Sequence, residues 1–356
     1  MMNLTDQKNR FYSPLDKTWQ ADRALIEGWI LCLCVVAVTV VAMPLTALAR
    51  ETEGPPKPKT VELTTTDGVK LNVTYYEGTE GENTVPVVVI HDWKSKEDGA
   101  TYKTLAEYLQ SRGYAVILPD LRGHGDSTTQ KASGRTLKLD PSKVRPESVL
   151  AGDLEAVRLF LLKENNAKRL NLAATTLIGV GQGAVLAAWY AIYDWDDFAR
   201  YPRNDPGKQR LIRLRRGGEK DVKALVLISP ANKIGKQLKI DALARHTEVG
   251  SGEVSTMILV GQKQVEGKSN KPKETKESKT AKYIYERLKR NGHEVDSEDV
   301  SKCSLFLKAI NTELNGEKLV NETNLDLKAR ETVRAFLNLR LRDRSVPWSE
   351  RTAHSN

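Results

Sequence analysis

The sequence predicts an α/β fold, in which a mostly parallel central sheet of about eight strands is opened by an antiparallel hairpin and covered by helices on both faces. From residue 60 onward, short β-branched runs alternate with amphipathic helical stretches, which is the order that parallel strands and crossover helices produce. Two runs, Val85–Ile90 and Tyr114–Leu118, are continuously apolar, as strands buried on both faces require.

The predicted elements begin with the hairpin. Val61–Thr65 and Val69–Tyr76 flank Thr66-Asp67-Gly68, and the glycine of an Asp-Gly pair accepts the positive φ of a tight turn. The strands that follow are predicted at Val85–Ile90, Tyr114–Leu118, Ala173–Ile178, Ala224–Ile228, Thr256–Val260 and Ser304–Ile310. The 3.6-residue period of apolar positions predicts helices at Leu105–Leu109, Val149–Lys163, Gln182–Tyr193, Lys282–Arg290 and Leu325–Leu341.

Composition is that of an ordinary globular protein. The 356 residues are 40% hydrophobic and 28% charged, with a formal net charge of +9. These values exclude collagen-like and fully disordered chains, and three cysteines are too few for a disulfide scaffold. Two of them, Cys32 and Cys34, lie in an N-terminal apolar run, so Cys303 alone remains for the folded part. That part is expected to rely on its core.

The N-terminal 49 residues read as an export segment. No residue between Glu27 and Arg50 is charged, and Ala47-Leu48-Ala49 is the small-x-small pattern that signal peptidase cleaves. The uncharged run is also long enough to form a transmembrane helix of about 20 residues. An uncleaved membrane anchor over residues 28–49 is therefore the alternative. Either interpretation places the folded part in the periplasm or outside the cell. We expect segment 1–49 to be followed by a linker (50–59), one domain (60–342) and a polar tail (343–356).

Positive charge is concentrated in one region. Between Lys263 and Arg290 there are ten basic and four acidic side chains, which gives +6 of the total of +9. The simple interpretation is a solvated loop and helix face, and the alternative is contact with an anionic surface. Nucleic acid is not an expected partner, because no aromatic side chain within Gln264–Thr280 is available for base stacking.

Three motifs stand at the ends of predicted strands. Leu118–Ser127 reads LPDLRGHGDS, Ile90-His91-Asp92-Trp93 ends a buried strand, and Ile178–Ala184 reads IGVGQGA between a strand and a helix. Together with the strand order, these motifs resemble the α/β-hydrolase superfamily over residues 60–342. The resemblance makes Gly179-Val180-Gly181-Gln182-Gly183 the counterpart of the nucleophile elbow Gly-x-Ser-x-Gly, with an oxyanion region at Gln182, Gly183, Asp92 and Trp93.

The resemblance implies a catalytic triad, and its three positions hold residues without the required chemistry. Gly181 stands at the nucleophile position and has no side chain that could attack a substrate. Gln264 stands at the acid position and Asn315 at the histidine position, and neither is ionised or titrates near neutral pH. We therefore predict a pseudoenzyme with no catalytic residue, which binds a small molecule or a protein partner whose identity the sequence does not reveal.

Two alternatives remain open. The first is a serine hydrolase with a relocated triad, for which His91, His124, Ser127 and Ser229 lie at strand ends. The second is a dinucleotide site, since Gly179 to Ala184 also fits Gly-x-Gly-x-x-(Gly/Ala), although no acidic residue follows on a later strand. No cofactor is indicated, and no His/Cys/carboxylate cluster has metal-ligand spacing.

Overall fold

The N-terminal hairpin forms around the Asp-Gly turn. In a computed structural model, which describes residues 54–93, 96–132, 134–196, 220–263, 274–322, 328–344 and 346–351, strand β1 (Lys59–Thr64) pairs antiparallel with β2 (Val69–Tyr76). Gly68 has φ +84° at the turn, a conformation that glycine adopts without steric cost. From Pro55 onward, the described residues belong to one compact unit.

The hairpin leads into a mostly parallel sheet, as predicted. Ten of the described strands form this sheet, and besides β1 and β2 they are β3 (Pro86–Ile90), β4 (Ala115–Pro119), β5 (Thr129–Ala132), β6 (Arg135–Lys138), β7 (Thr175–Val180), β8 (Val222–Ile228), β11 (Ser255–Gly261) and β12 (Leu305–Ile310). Their order is β12-β11-β8-β7-β3-β4-β2-β5-β6, and β1 pairs with β2. The strands from β4 to β12 in this order are parallel, while β2, β5 and β6 are antiparallel to their neighbours. A separate pair consists of β9 (Lys233–Ile234) and β10 (Leu238–Lys239).

Helices connect the parallel strands. Their bounds are α1 (Lys103–Gln110), α2 (Pro146–Ser148), α3 (Glu155–Asn166), α4 (Gly183–Trp195), α5 (Ala242–Arg245), α6 (Lys276–Arg290), α7 (Glu317–Asn321) and α8 (Ala329–Leu337). One π-helical stretch, Val149–Leu154, joins α2 to α3, and another, Asn338–Arg342, follows α8. Short 3-10 helices occur at Gly81–Asn83, Gly99–Tyr102, Leu172–Ala174, Val249–Ser251 and Val300–Lys302.

The core lies on both faces of the central strands. Every residue of β3, β7 and β11 is buried, which is why their sequences are mainly apolar and do not alternate with exposed polar residues. Because these strands are parallel members of one sheet, the loops after their carboxyl ends lie along one edge of it. The three sequence motifs all lie at that edge.

The hairpin of β5 and β6 is absent from the sequence-based prediction. Its residues are mostly polar and exposed, and Leu137 is an apolar side chain that remains 48% exposed. An edge hairpin without an apolar face gives no alternating hydrophobic signal. Backbone pairing to β2 holds it in place, with Val69 opposite Gln130.

The segment predicted as a polar tail contributes contacts to the domain. Asn165 donates through Nδ2 to the carbonyl of Ser349 at 3.0 Å, and the Trp348 indole donates to the carbonyl of Asn165 at 3.2 Å. Residues 346–351 therefore pack against the end of α3. The predicted signal or anchor segment, 1–49, lies outside the described residues, as does the linker up to residue 53. Among the described helices, none has the length and apolar character needed to cross a membrane.

Candidate functional site

The turn from β7 into α4 has the shape of a nucleophile elbow. At its tip, Gly181 has φ +57°. A Cβ atom on Gly179 would stand 2.5 Å from Ala184 Cα, and one on Gly183 would stand 2.3 Å from the carbonyl oxygen of Ile90. Two of the glycines are thus required by the close approach of neighbouring backbone, and the third by the left-handed conformation that a tight turn imposes.

The carboxylate of Asp92 occupies the space above this turn. Strands β3 and β7 are parallel neighbours with Ile90 paired to Gly179, so two residues further on Asp92 lies alongside Gly181. A Cβ atom built on Gly181 would stand 2.6 Å from Asp92 Cγ and 2.7 Å from its Oδ2. These distances are shorter than any van der Waals contact, so the carboxylate stands where the side chain of a nucleophile would begin.

Asp92 also takes the hydrogen bond that an elbow offers to a substrate. The backbone N–H of Gln182, the residue after the elbow tip, donates to Asp92 Oδ1 at 2.9 Å. In the α/β-hydrolase architecture this N–H is an oxyanion-hole donor, which stabilises the negative oxygen of a tetrahedral intermediate. Here the donor already has an anionic acceptor from the chain itself.

A neutral hydrogen-bonded pair, Ser229 and Asn315, includes the position expected for the histidine. The Ser229 hydroxyl, just after β8, donates to Asn315 Oδ1 at 3.1 Å and accepts the Gly316 N–H at 2.9 Å. The N–H of Gly261 also donates to Asn315 Oδ1, at 3.3 Å. Asn315 therefore joins the ends of β8, β11 and β12, a positioning role that needs no charge. Gln264 lies outside the described residues.

The two histidines at this edge of the sheet, His91 and His124, form hydrogen bonds with backbone groups. His91 Nε2 accepts the Leu121 N–H at 3.1 Å, which leaves the proton on Nδ1 to be donated to the carbonyl of Asp92 at 3.1 Å. Burial, with a smaller contribution from His124, lowers the pKa of His91 to about 4. His124 contacts the carbonyl of Trp93 through Nε2 at 3.1 Å. Both rings hold loops together.

The Leu118–Ser127 motif is likewise structural. Asp120 accepts hydrogen bonds from the backbone N–H groups of Gly99 and Asp126 at 2.8 and 3.0 Å. Ser127 Oγ accepts the N–H of Asn72 from β2 at 2.8 Å. The hydroxyl of Ser127 thus ties a loop to a strand and faces no histidine among these contacts.

The crevice beside Asp92 is acidic. The Tyr102 hydroxyl donates to Glu97, and Glu97 is also hydrogen-bonded to Glu317 at the start of α7. Burial raises the pKa of Glu97; the Tyr102 hydrogen bond opposes this, and the carboxylates of Glu317 and Asp92 add to it. Carboxylates at this position oppose the negative charge that develops on a substrate oxygen during acyl transfer.

The elbow offers no vacant place for a dinucleotide either. A pyrophosphate would need the helix N-terminus that Asp92 already contacts through Gln182. In the described part of the chain, no group of three or more His, Cys, Asp or Glu side chains is arranged to hold a metal ion.

The sequence motif indicates the residues of the elbow but not the position of the Asp92 carboxylate. The signal was present, because the family has His-Gly where this chain has His91-Asp92. Replacing that glycine with aspartate puts a carboxylate at the end of the strand next to the elbow. The Ser229–Asn315 pair was also missed, since it joins two loops that are distant in sequence.

Comparisons with known proteins agree with the fold. The family model described as the α/β-hydrolase fold matches residues 87–201. No curated protein matches the sequence. Similar solved structures include the Pyrococcus furiosus esterase Pf2001, with 16% identity, 80% of this chain and 93% of that chain covered, and a TM-score of 0.46.

Two further solved structures are similar at the same level. Dienelactone hydrolase from Anabaena variabilis has 16% identity over 79% of this chain and 97% of that chain, with a TM-score of 0.45. EstE1, a carboxylesterase cloned from a metagenomic library, has 13% identity over 82% and 90%, with a TM-score of 0.48. The sheet order and the glycine elbow give the described domain an α/β-hydrolase fold, and the family model described as that fold matches its residues 87–201.

Proposed function

We propose that this protein, which has an α/β-hydrolase fold, is non-hydrolytic and acts by binding a small molecule or a protein partner. The observation that carries the proposal is the carboxylate of Asp92, which fills the space beside Gly181 and accepts the Gln182 N–H. An acyl substrate would have to displace an anion from the donor that it needs.

The chemistry of the surrounding positions supports the same conclusion. Gly181 has no nucleophilic atom, and Asn315 has an amide where a general base is required. Glu97 and Glu317 add carboxyl groups to the crevice. Each feature opposes a different step of ester hydrolysis: attack, proton transfer and stabilisation of the oxyanion.

The test compares four chains for hydrolysis of an activated ester. They are the native protein, the triple variant Gly181→Ser, Gln264→Asp, Asn315→His, the same triple variant with Asp92→Gly, and Asp92→Gly alone as the control. Only the quadruple variant is expected to exceed a heat-treated sample, because it alone has both the triad side chains and a vacant oxyanion donor. Hydrolysis by the native chain contradicts the proposal, and activity of the triple variant with Asp92 in place contradicts the blocking role of that carboxylate.

One observation favours the alternative of a relocated hydrolase site. Among the described residues, His293 Nδ1 and Ser304 Oγ form a serine–histidine hydrogen bond of 3.0 Å. Nε2 of His293 contacts the carbonyl of Val249 at 3.2 Å, and burial lowers the pKa of His293 to about 4. A base this weak accepts a proton poorly at neutral pH. If the native chain hydrolyses an ester and Ser304→Ala abolishes that hydrolysis, the activity belongs to the His293–Ser304 pair.

Export of the folded domain is part of the proposal. It is supported by the uncharged run before Arg50 and by Ala47-Leu48-Ala49. Mass spectrometry of native protein from the membrane and periplasmic fractions tests it. A mature chain that starts at Arg50 supports a cleaved signal, whereas an intact N-terminus in the membrane fraction supports the anchor.

The basic region is proposed to contact an anionic surface. In its described part, α6 carries exposed Lys276, Lys279 and Lys289, and two of its lysines pair with acids at exposed positions. Residues 264–273 lie outside the described residues. Sedimentation with anionic vesicles in low and high salt tests this contact, since screening weakens exposed charge interactions.

A further inference from the structure

A polar cavity lies at the edge of the sheet opposite the elbow. Its volume is about 380 Å³, and its lining includes Ser255, the first residue of β11, and Ser304, the residue before β12. Lys223, near the start of β8, also contributes to the wall. Because these strands are parallel to β7, the cavity is at their amino ends, whereas Asp92 and Gly181 are at the carboxyl ends.

The floor of this cavity contains a buried arginine without a counterion. Arg340 is 6% exposed. Its Nε donates to Ser255 Oγ at 2.7 Å and its Nη1 to the carbonyl of Ser301 at 2.5 Å. Within the described ranges, Arg340 forms no ion pair with a carboxylate, and no carboxylate is among the groups that shift its pKa. A buried charge is costly unless an opposite charge compensates it.

A second guanidinium approaches the same carbonyl oxygen. Arg344 also donates to Ser301 O, so two positive groups converge on one acceptor. Burial, followed by the charge of Arg344, lowers the pKa of Arg340 to about 10. The two positively charged guanidinium groups repel each other, and an anion bound between them offsets that repulsion.

The other charged groups of the cavity leave an excess of positive charge. Four basic side chains line it, and two acidic ones oppose them: Lys223, Lys302, Arg340, Arg344, Glu253 and Glu294. Glu253 acts on Lys223, whose pKa is lowered by burial in spite of nearby acids. Lys302 is 3.9 Å from Asp299 at an exposed position, and the charge of Arg344 also acts on Asp299. Within the described ranges, neither Glu253 nor Glu294 forms an ion pair with either arginine.

We propose that this cavity binds a phosphate-bearing anion, whose phosphate group lies between Arg340 and Arg344. Planar guanidinium groups hold phosphate oxygens through paired, charge-assisted hydrogen bonds. The cavity volume of about 380 Å³ lies in the range of pockets for small organic ligands, which begins at about 300 Å³. The cavity therefore has room for more than a single phosphate. The phosphate belongs to a soluble ester or to a phospholipid headgroup, which have this chemistry in common. The site shares no residue with the elbow, so the proposal is independent of the proposed function.

The test is calorimetric titration of the full chain with inorganic phosphate and with glycerol phosphate, at ionic strength held constant with chloride. Arg344→Gln is the principal variant, because its exposed side chain can be removed without loss of the Arg340 contacts to Ser255 and Ser301. Loss of one charge-assisted contact is expected to weaken binding about tenfold. Arg135→Gln on β6 is the matched control, since it makes the same change at the far edge of the sheet and is expected to leave binding unchanged.

A parallel arm identifies the source of the phosphate. The native chain and both variants are sedimented with phosphatidic acid vesicles and with neutral phosphatidylcholine vesicles. Binding of a soluble phosphate supports the proposal with a soluble ligand, and binding to phosphatidic acid alone, reduced by Arg344→Gln, supports it with a lipid headgroup. Absence of binding in both arms overturns it, and so does equal weakening by Arg344→Gln and Arg135→Gln.

Discussion

The two edges of the sheet place charge in opposite ways. At the carboxyl edge, Asp92 accepts the N–H that the elbow presents, and buried Arg122 lies 2.8 Å from Asp153. At the amino edge, Arg340 and Arg344 converge on one carbonyl oxygen, and in the described part of the chain no carboxylate pairs with either. The polar groups at the carboxyl edge already bond to one another, so they need no ligand to compensate their charge. The like charges at the amino edge do need an anion to compensate them.

The largest difference between the edges is expected in stability. Arg122→Met leaves the fully buried carboxylate of Asp153 without its partner and should lower the free energy of unfolding by about 3–5 kcal/mol. Arg344→Gln removes an exposed member of a like-charge pair and should change it by less than about 0.5 kcal/mol. Urea denaturation measures both. Equal losses for the two variants would remove the distinction, and adding Asp153→Asn to Arg122→Met should restore part of its loss.

Acid should destabilise both edges through buried histidines. Burial lowers the pKa of His91 and of His293 to about 4, whereas an unfolded histidine titrates near 6.5. The unfolded chain therefore binds protons first as the pH falls, so the stability present above pH 6.5 is lost towards pH 4. Each histidine should contribute a loss on the order of 2–3 kcal/mol between pH 7 and pH 4.5.

Urea unfolding at the two pH values measures this loss. The free energy of unfolding should decrease less between pH 7 and pH 4.5 in His293→Gln and in His91→Gln than in the native chain. Acidic groups contribute equally in all three proteins, so the difference isolates the histidines. An unchanged decrease in the variants would mean that these rings are protonated in the folded state.

Substitution at the elbow tip should cost more while Asp92 is present than after its removal. Gly181→Ser places a Cβ against the Asp92 carboxylate and forces φ +57° on a non-glycine residue, which should cost about 1–3 kcal/mol. In an Asp92→Gly background the cost should fall to about 1 kcal/mol, the part due to backbone conformation. Gly181→Ala is the matched control, because it has the same Cβ without a hydroxyl. An equal cost in both backgrounds would contradict the steric conflict.

The smallest effect is expected on α6. Changing Lys276, Lys279 and Lys282 to glutamine should alter the free energy of unfolding by less than about 0.5 kcal/mol, because exposed ion pairs such as Lys282–Glu274 contribute little. Thermal and urea denaturation would reveal a larger loss, which would mean that these lysines support the fold.

Local patterns were sufficient for most of the fold. Continuous apolar runs predicted β3 and β4, short β-branched and apolar runs predicted β7, β8 and β11, and the Asp-Gly pair located the first turn, because burial and turn geometry act on neighbouring residues. The hairpin of β5 and β6 escaped detection, since its polar side chains leave only backbone pairing to define it.

The site was predictable in position and unpredictable in arrangement. The glycines of the elbow follow from the geometry of a tight turn, which a local motif records. The position of the Asp92 carboxylate depends on the register of β3 against β7. The position of the Arg340 guanidinium depends on its hydrogen bonds to Ser255 on β11 and to the carbonyl of Ser301. Such contacts join residues far apart in sequence, and a single sequence does not specify their distances.

A non-hydrolytic protein requires that the elbow region does not react with an activated electrophile. The most direct measurement is intact-mass analysis of the native, unmodified chain after exposure to a fluorophosphonate serine probe, which labels a serine activated by a base. The predicted result is an unchanged mass, equal to that of a heat-treated control. A mass increase of one probe, abolished by substitution of one particular serine, would show a competent nucleophile and contradict the assignment of this protein as non-hydrolytic.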